Sequence, residues 1–229
     1  MMFTALLRGW QDLTRPGALK ILILGIGLAL GLLIALGMAM IWGLGLILPD
    51  TITLPFWGQV SWVAAATGWA AVVLFAFASI FLMAPVASIF TGFFLDDVAE
   101  LVEREHYPTL PAVRGLGLWE SLGDTLKFFG VVIAANIVAL MIYPFVIPFA
   151  PFLFLGLNGY LLGREYFQMA ARRRMSREDA RALYDRNRLT VWATGAIMAV
   201  PLSVPVLNLV VPVVGAAAFT HLFHSLARR

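Results

Sequence analysis

The sixteen lysines and arginines of this 229-residue chain are confined to four clusters, and their distribution constrains the fold more than any motif does. Arg8, Arg15 and Lys20 form the first cluster and Arg104, Arg114 and Lys127 the second. Eight residues between positions 164 and 188 form the third, and Arg228 and Arg229 the fourth. The blocks between them, 21–49, 51–95, 128–163 and 189–227, carry no charged side chain, with Asp50 alone between the first two. An excess of lysine and arginine marks the cytoplasmic side of a membrane protein. If every cluster lies on that side, the chain must leave and return between consecutive clusters.

Composition agrees with this reading. Apolar residues make up 61% of the chain and the mean hydropathy is +0.89, which defines an integral membrane protein. The formal charge of +3 sits at the ends of apolar blocks rather than on a soluble face. It therefore points to a bilayer with anionic headgroups as partner, and not to nucleic acid. Cysteine is absent, so there is no disulfide framework or thiolate site.

Residues 1–20 form an N-terminal cytoplasmic amphipathic segment. The apolar run Ile21–Leu48 is 28 residues long, too long for the apolar core of a signal peptide. It reads as a transmembrane helix of roughly 42 Å against a hydrocarbon core of ~30 Å, so it tilts or projects. Asp50–Gln59, without lysine or arginine, is the external turn. A second transmembrane helix follows over 60–84, with Pro85 at its inner end, and continues as a cytoplasmic helix to about residue 107. There Leu95, Val98, Leu101 and Val102 share one face while Asp96, Asp97, Glu100 and Glu103 occupy the other.

The last two blocks are short for two crossings each. Phe128–Tyr143 extends about 24 Å, Phe149–Gly163 about 22 Å and Leu189–Val200 about 18 Å. Two hairpins, 125–165 and 189–227, are thus expected to enter the membrane and turn round inside it, with a basic cytoplasmic segment, 166–188, between them. The alternative is a pair of ordinary spanning hairpins with kinked helices in a thinned bilayer. Pro144-x3-Pro148 and Pro201-x3-Pro205 mark the turns. Backbone exposed at that depth needs cover from protein, which implies a homo-oligomer.

No charged side chain lies well inside the four blocks, so a proton-driven transporter with a carboxylate at membrane depth is not expected. A passive route, or an anion guided by helix N-termini, fits better. The helices restart after Pro148 or Pro151 and after Asn208, where Asn208 is placed to cap. Pro205, Asn208 and Pro212 are turn or pore candidates. Asn136 and Asn158 either line a path or hydrogen-bond between helices. The helix-one glycines, including Gly27-x3-Gly31, serve close helix contact. Arg164, Arg172, Arg173 and Arg174 are candidates for an anion-collecting vestibule, although topology and headgroup attraction also account for them. Ser176 and Asp179 form a cap-like start to the helix that follows. His221 and His224, one turn apart, read as interfacial histidines and not as a metal site. There is no GxSxG, HExxH, Walker A or dinucleotide-binding pattern, so neither an enzyme nor a cofactor is expected.

Four stretches carry a family resemblance: LLRGWQDLTRPGALK (6–20), APVASIFTGFFLDDVAELVE (84–103), GREYF (163–167) and VPVLNLVVPVVGAAA (204–218). Together they resemble the CysZ-type sulfate permease family, which includes the etoposide-induced membrane proteins, over nearly the whole chain. The resemblance implies an all-helical protein of the bacterial inner membrane. Both termini would be cytoplasmic, with two long transmembrane helices, two half-penetrating hairpins and an oligomeric assembly. It also implies sulfate uptake for cysteine biosynthesis without ATP. In that family the first helix opens with Pro-Gly-Leu-Arg-Arg, and the basic pair is linked to sulfate binding. Here Pro16 and Gly17 match, and Ala18, Leu19 and Lys20 follow; lysine keeps a charge but lacks the planar fork of arginine. Gly17, Ala18, Leu19 and Lys20 are accordingly the expected anion site. The other function considered is a non-transporting scaffold or lipid-interacting protein of the same fold.

Overall fold

The computed structural model describes residues 1–47, 52–54, 58–60, 62–92, 94–111, 134–135, 137–138, 141–142 and 147–228. Helix α1, Met2–Leu13, buries Ala5, Leu6, Gly9 and Asp12, which return to one side at helical spacing. It lies so close to the last helix that a Cβ on Gly9 would come within 2.8 Å of the Ala218 Cβ. Thr14 and Arg15 end it by donating their N–H groups to Gln11 and Asp12 carbonyls at 3.2 and 3.1 Å.

Helix α2 then spans Pro16–Ile47, beginning five residues earlier than the apolar run. Proline suits a first turn, where its missing N–H has no intrahelical partner to lose. The expected external turn contains two short antiparallel strands, β1 (Ile52–Leu54) and β2 (Gly58–Val60), with Ile52 opposite Val60. Helix α3, Trp62–Gly92, packs back on α2, with Phe75 filling the space beside Gly37. Helix α3 continues through Pro85 to Gly92, and a separate helix begins at Leu95. A proline removes one ladder bond, and the apolar turns on either side carry the helix past it. Helix α4, Leu95–His106, has Asp96 and Asp97 in its first turn and Arg104 and His106 in its last, charges that complement its dipole.

The glycines of α2 depart from expectation. Among the described residues nothing lies within 4 Å of a Cβ on Gly27, Gly31, Gly43 or Gly45, whereas Gly37 meets Phe75 of α3 closely and Gly25 is buried. Among the described residues, α2 is the one helix long and apolar enough to cross a membrane. Its apolar side chains are largely uncovered, as at Ile23, Ile34, Met38 and Trp42, and so are Trp69, Leu74, Phe77 and Ile80 on α3. Such a continuous apolar surface requires an apolar surrounding or a partner.

The second half is built differently. Helices α5 (Ala150–Arg172) and α6 (Arg177–Ala199) form the most extensive helix pair. They approach to backbone contact at Gly159, Gly163 and Gly195: a Cβ on Gly195 would collide with the Gly159 carbonyl oxygen. Each helix is 23 residues long, about 34 Å, because the apolar arms continue into the basic segment. Ser176 caps α6 as its sequence foretells, accepting from the Asp179 N–H at 3.1 Å. At Asn187 the backbone leaves helical geometry (φ −119°, ψ 17°), just before the charged part of α6 gives way to the uncharged part.

A 3-10 turn (Val200–Ser203) and a four-residue helix α7 (Pro205–Asn208) lead into α8, Val211–Ala227. Helix α8 is the core. Every residue from Val211 to His224 is buried, enclosed by α1, α4 and α5. A helix apolar around its whole circumference is one surrounded by protein or lipid, and here protein surrounds it.

Candidate functional site

The α1–α2 junction places a pocket at the start of the longest apolar helix. The Arg15 carbonyl accepts the first α2 bond, from the Leu19 N–H at 3.0 Å. The N–H groups of Gly17 and Ala18 precede it, at the positive end of a 32-residue helix. Beside them opens a cavity of about 200 Å³, floored by Val98 and Leu101 of α4 and edged by Arg15 and Arg104. Gly17 permits this approach, since a Cβ would meet Leu101 Cδ1 at 2.9 Å.

Two carboxylates share the wall with the arginines, Asp12 and Glu105. Arg15 Nη1 is 2.6 Å from Glu105 Oε1, and Arg15 Nε donates to Asp12 Oδ1 at 2.8 Å. The bond to Glu105 raises the guanidinium pKa further above its ordinary value. Of the expected anion site, Gly17 and Ala18 line the pocket, whereas Leu19 and Lys20 are exposed outside it. The cations at the pocket are instead Arg15 and Arg104. The signal was present, since Arg15 directly precedes the Pro-Gly start.

A buried polar network backs the pocket. The Asp12 carboxylate is 3% exposed, with His106 Nε2 at 2.8 Å from Oδ1 and His221 Nε2 at 2.8 Å from Oδ2. Burial works against ionisation of Asp12, but the hydrogen bonds from His221 and His106 outweigh it and hold its pKa at about 2. Tyr107 Oη lies 3.0 Å from His221 Nδ1, and the Tyr107 ring lies over His224 with centroids 4.2 Å apart. Burial raises the Tyr107 pKa.

His224 Nε2 is 3.0 Å from Glu103 Oε1, and Arg174 grips both oxygens of Glu103 from Nε (2.9 Å) and Nη2 (2.8 Å). Arg173 reaches Glu103 and Asp96 at 3.5 Å each. Burial again opposes ionisation, and the partners His224, Arg174 and Arg173 prevail, setting the Glu103 pKa at about 2. Glu103 is therefore not part of the polar face of α4: it is 4% exposed and turned into the core, because the third basic cluster supplies its counter-charges.

Several site expectations shift accordingly. Arg173 and Arg174 are engaged by Glu103, and Arg173 is buried, while Arg164 and Arg172 are half-buried. His221 and His224 are core residues, not interfacial ones, at 2% and 6% exposure. Asn158 bonds its own helix, donating to the Phe154 carbonyl at 2.9 Å; the α5–α6 hydrogen bond comes instead from Trp192 Nε1 to the Gly156 carbonyl at 3.0 Å. Asn208 does not cap α8: its N–H donates to the Val204 carbonyl at 2.9 Å, and Val210 holds the cap position. Pro205 begins α7 and Pro212 is buried in the first turn of α8. Asn136 lies outside the described residues.

Among the described residues, a largely helical fold carries one uncovered apolar helix of spanning length, a pocket of paired arginines and carboxylates at that helix's first turn, and a buried polar core, features that fit a membrane protein. The chain belongs to the family described as sulfate transporter CysZ/etoposide-induced protein 2.4, which it matches over residues 5–212. No individual curated protein matches it.

Proposed function

We propose that this protein is an anion permease of the bacterial inner membrane that admits sulfate passively for cysteine biosynthesis. The observation that carries the reading is family membership over residues 5–212, coupled with a pocket at the α2 N-terminus lined by Gly17, Ala18, Arg15 and Arg104, with Asp12 and Glu105 beside the arginines. Guanidinium groups and a helix N-terminus suit a tetrahedral oxyanion. On this reading both termini are cytoplasmic, α2 and α3 span the bilayer, and the hairpins 125–165 and 189–227 enter it part-way. A homo-oligomer covers the hairpin turns, the uncovered glycine face of α2 being available for that contact. Asn136, Asn158, Pro205, Asn208 and Pro212 lie along or near the path. Arg15 and Arg104 receive the anion with Gly17 and Ala18, and Lys20 adds charge at the mouth.

Radiolabelled sulfate flux into proteoliposomes tests the proposal. Flux well above that of empty liposomes, lowered by Arg15→Ala, supports it. Flux equal to that of empty liposomes, with folded protein confirmed by circular dichroism, rejects transport and leaves the scaffold reading.

A further inference from the structure

Three donor atoms from three distant parts of the chain converge behind the pocket. Asp12 closes the last turn of α1, His106 is the final residue of α4, and His221 lies in the middle of α8. Their ligand atoms, a carboxylate oxygen and two imidazole nitrogens, all fall within 4.8 Å of one another. Asp12 and His221 are buried and His106 is half-buried. We propose that Asp12, His106 and His221 form a binding site for a divalent transition-metal ion of the zinc class, which ties α1, α4 and α8 together.

The chemistry of the set supports that class. Two imidazoles and one carboxylate suit zinc and its neighbours, whereas magnesium and calcium prefer all-oxygen shells. Three protein ligands leave one coordination position open. Metal-ligating histidines usually hold their second nitrogen in a hydrogen bond that fixes the ring. His221 has this arrangement: with Nε2 on the metal, Nδ1–H faces Tyr107 Oη at 3.0 Å. The His106 and His221 rings meet edge to face with centroids 4.7 Å apart, so both can turn Nε2 toward one point.

Loading requires small movements. Donors about 2.0–2.2 Å from a tetrahedral ion stand roughly 3.3 Å from one another. The two 2.8 Å Asp12–histidine separations must open by about half an ångström, and the histidine nitrogens must close toward each other. Each histidine binds as the neutral Nδ1–H tautomer: an imidazolium releases its Nε2 proton to solvent, and a neutral Nε2–H ring transfers that proton to Nδ1 by way of solvent. Arg15, now on Asp12 Oδ1, has to swing away; its side chain is 43% exposed and Glu105 already draws it outward at 2.6 Å. With Arg15 balanced by Glu105, the Asp12 charge remains for the ion, and Arg8, bonded at Tyr107, acts on His221 through its charge alone.

The test uses the full-length protein in detergent, stripped with a chelator and titrated with Co²⁺ as a visible probe and with Zn²⁺ by calorimetry. One equivalent per chain is expected, with the intense d–d absorption of four-coordinate Co²⁺ and a Zn²⁺-dependent rise in unfolding temperature. His221→Ala should abolish all three signals, and His224→Ala, one turn further on, should retain them. If His221→Ala does not fold, His106→Gln serves in its place, because it keeps a hydrogen-bonding side chain at a less buried position but ligates poorly. Absence of stoichiometric uptake by the wild type overturns the proposal, as does uptake that survives in whichever of these two variants folds.

Discussion

Asp12 and His221, 209 positions apart, meet at 2.8 Å, so the first and last described helices are clamped to each other through a buried carboxylate. Removing one partner of such a pair leaves the other charge or donor without compensation in a low-dielectric interior, at a typical cost of about 3–5 kcal/mol. Asp12→Leu is therefore expected to lose stability on that scale. Asp12→Asn should lose less, since an amide still offers an acceptor to one histidine. Denaturant titration in detergent micelles followed by tryptophan fluorescence measures both; equal, sub-kcal effects would mean that the pair is not holding α1 to α8.

Glu103 gives the pH dependence its sign. Its folded-state pKa of about 2 lies below the ordinary 4.5, so the stability it contributes is fully present above about pH 5 and is lost as pH falls through the interval from 4.5 to 2. Asp12, lowered from 3.8 to about 2, acts in the same direction. Burial lowers the His221 pKa below its ordinary 6.5, so the unfolding temperature should begin to fall below about pH 6.5 and decline further below about pH 5 as the two carboxylates are protonated. In Glu103→Gln the starting stability should be lower and the decline shallower. Parallel curves for the two proteins would show that Glu103 is not the group being titrated.

What could be read from the sequence divides along physical lines. The alternation of charged clusters and apolar blocks located α2, α3 and the turn between them, because those features depend on local composition. Ser176 at the head of α6 was equally legible, being a contact between residues three apart. Glu103 was assigned to a polar face because helical periodicity records which residues share a side, not what lies opposite them. Its partners, Arg174 and His224, are 71 and 121 positions away. The roles of the histidines are hidden for the same reason: their spacing shows that His221 and His224 are one turn apart, whereas tertiary contact pairs one with Asp12 and the other with Glu103. The pocket was half visible. Pro16 and Gly17 marked the helix start, but the second wall, with Arg104 and Glu105, belongs to α4.

The glycines of the chain should separate sharply on substitution. At Gly195 a methyl group would collide with the Gly159 carbonyl and come within 2.7 Å of the Gly163 nitrogen, and backbone cannot move aside as a flexible side chain would. Gly195→Ala is expected to destabilise the α5–α6 pair by more than about 2 kcal/mol, at the severe end of overpacking. Gly27 meets nothing within 4 Å, so Gly27→Ala should leave monomer stability unchanged or raise it by up to about 1 kcal/mol from helix propensity alone. Thermal unfolding compares them directly. Native mass measurement on a bulkier change, Gly27→Leu, adds the oligomer question: a shift to smaller assemblies would place the α2 glycine face at a contact between copies.

Arg15 stands between two roles, and charge removal can tell them apart. Its guanidinium is now held by Glu105 at 2.6 Å and Asp12 at 2.8 Å, both of which an incoming sulfate would have to displace or share. If the pocket receives the anion, Glu105→Gln should strengthen sulfate binding, because it removes a negative charge from the wall and loosens the competing bond without touching Arg15. Arg15→Ala should weaken binding about tenfold or more, the equivalent of one charge-assisted hydrogen bond of roughly 1.5–3 kcal/mol. Lys20→Ala, acting from an exposed position, should have a smaller effect that disappears at high salt, since screening removes interactions between exposed charges first. The KM for sulfate flux, measured for the three variants at low and high ionic strength, gives the order. Glu105→Gln weakening uptake as strongly as Arg15→Ala would assign the Arg15–Glu105 pair to holding α2 against α4 and place the anion elsewhere.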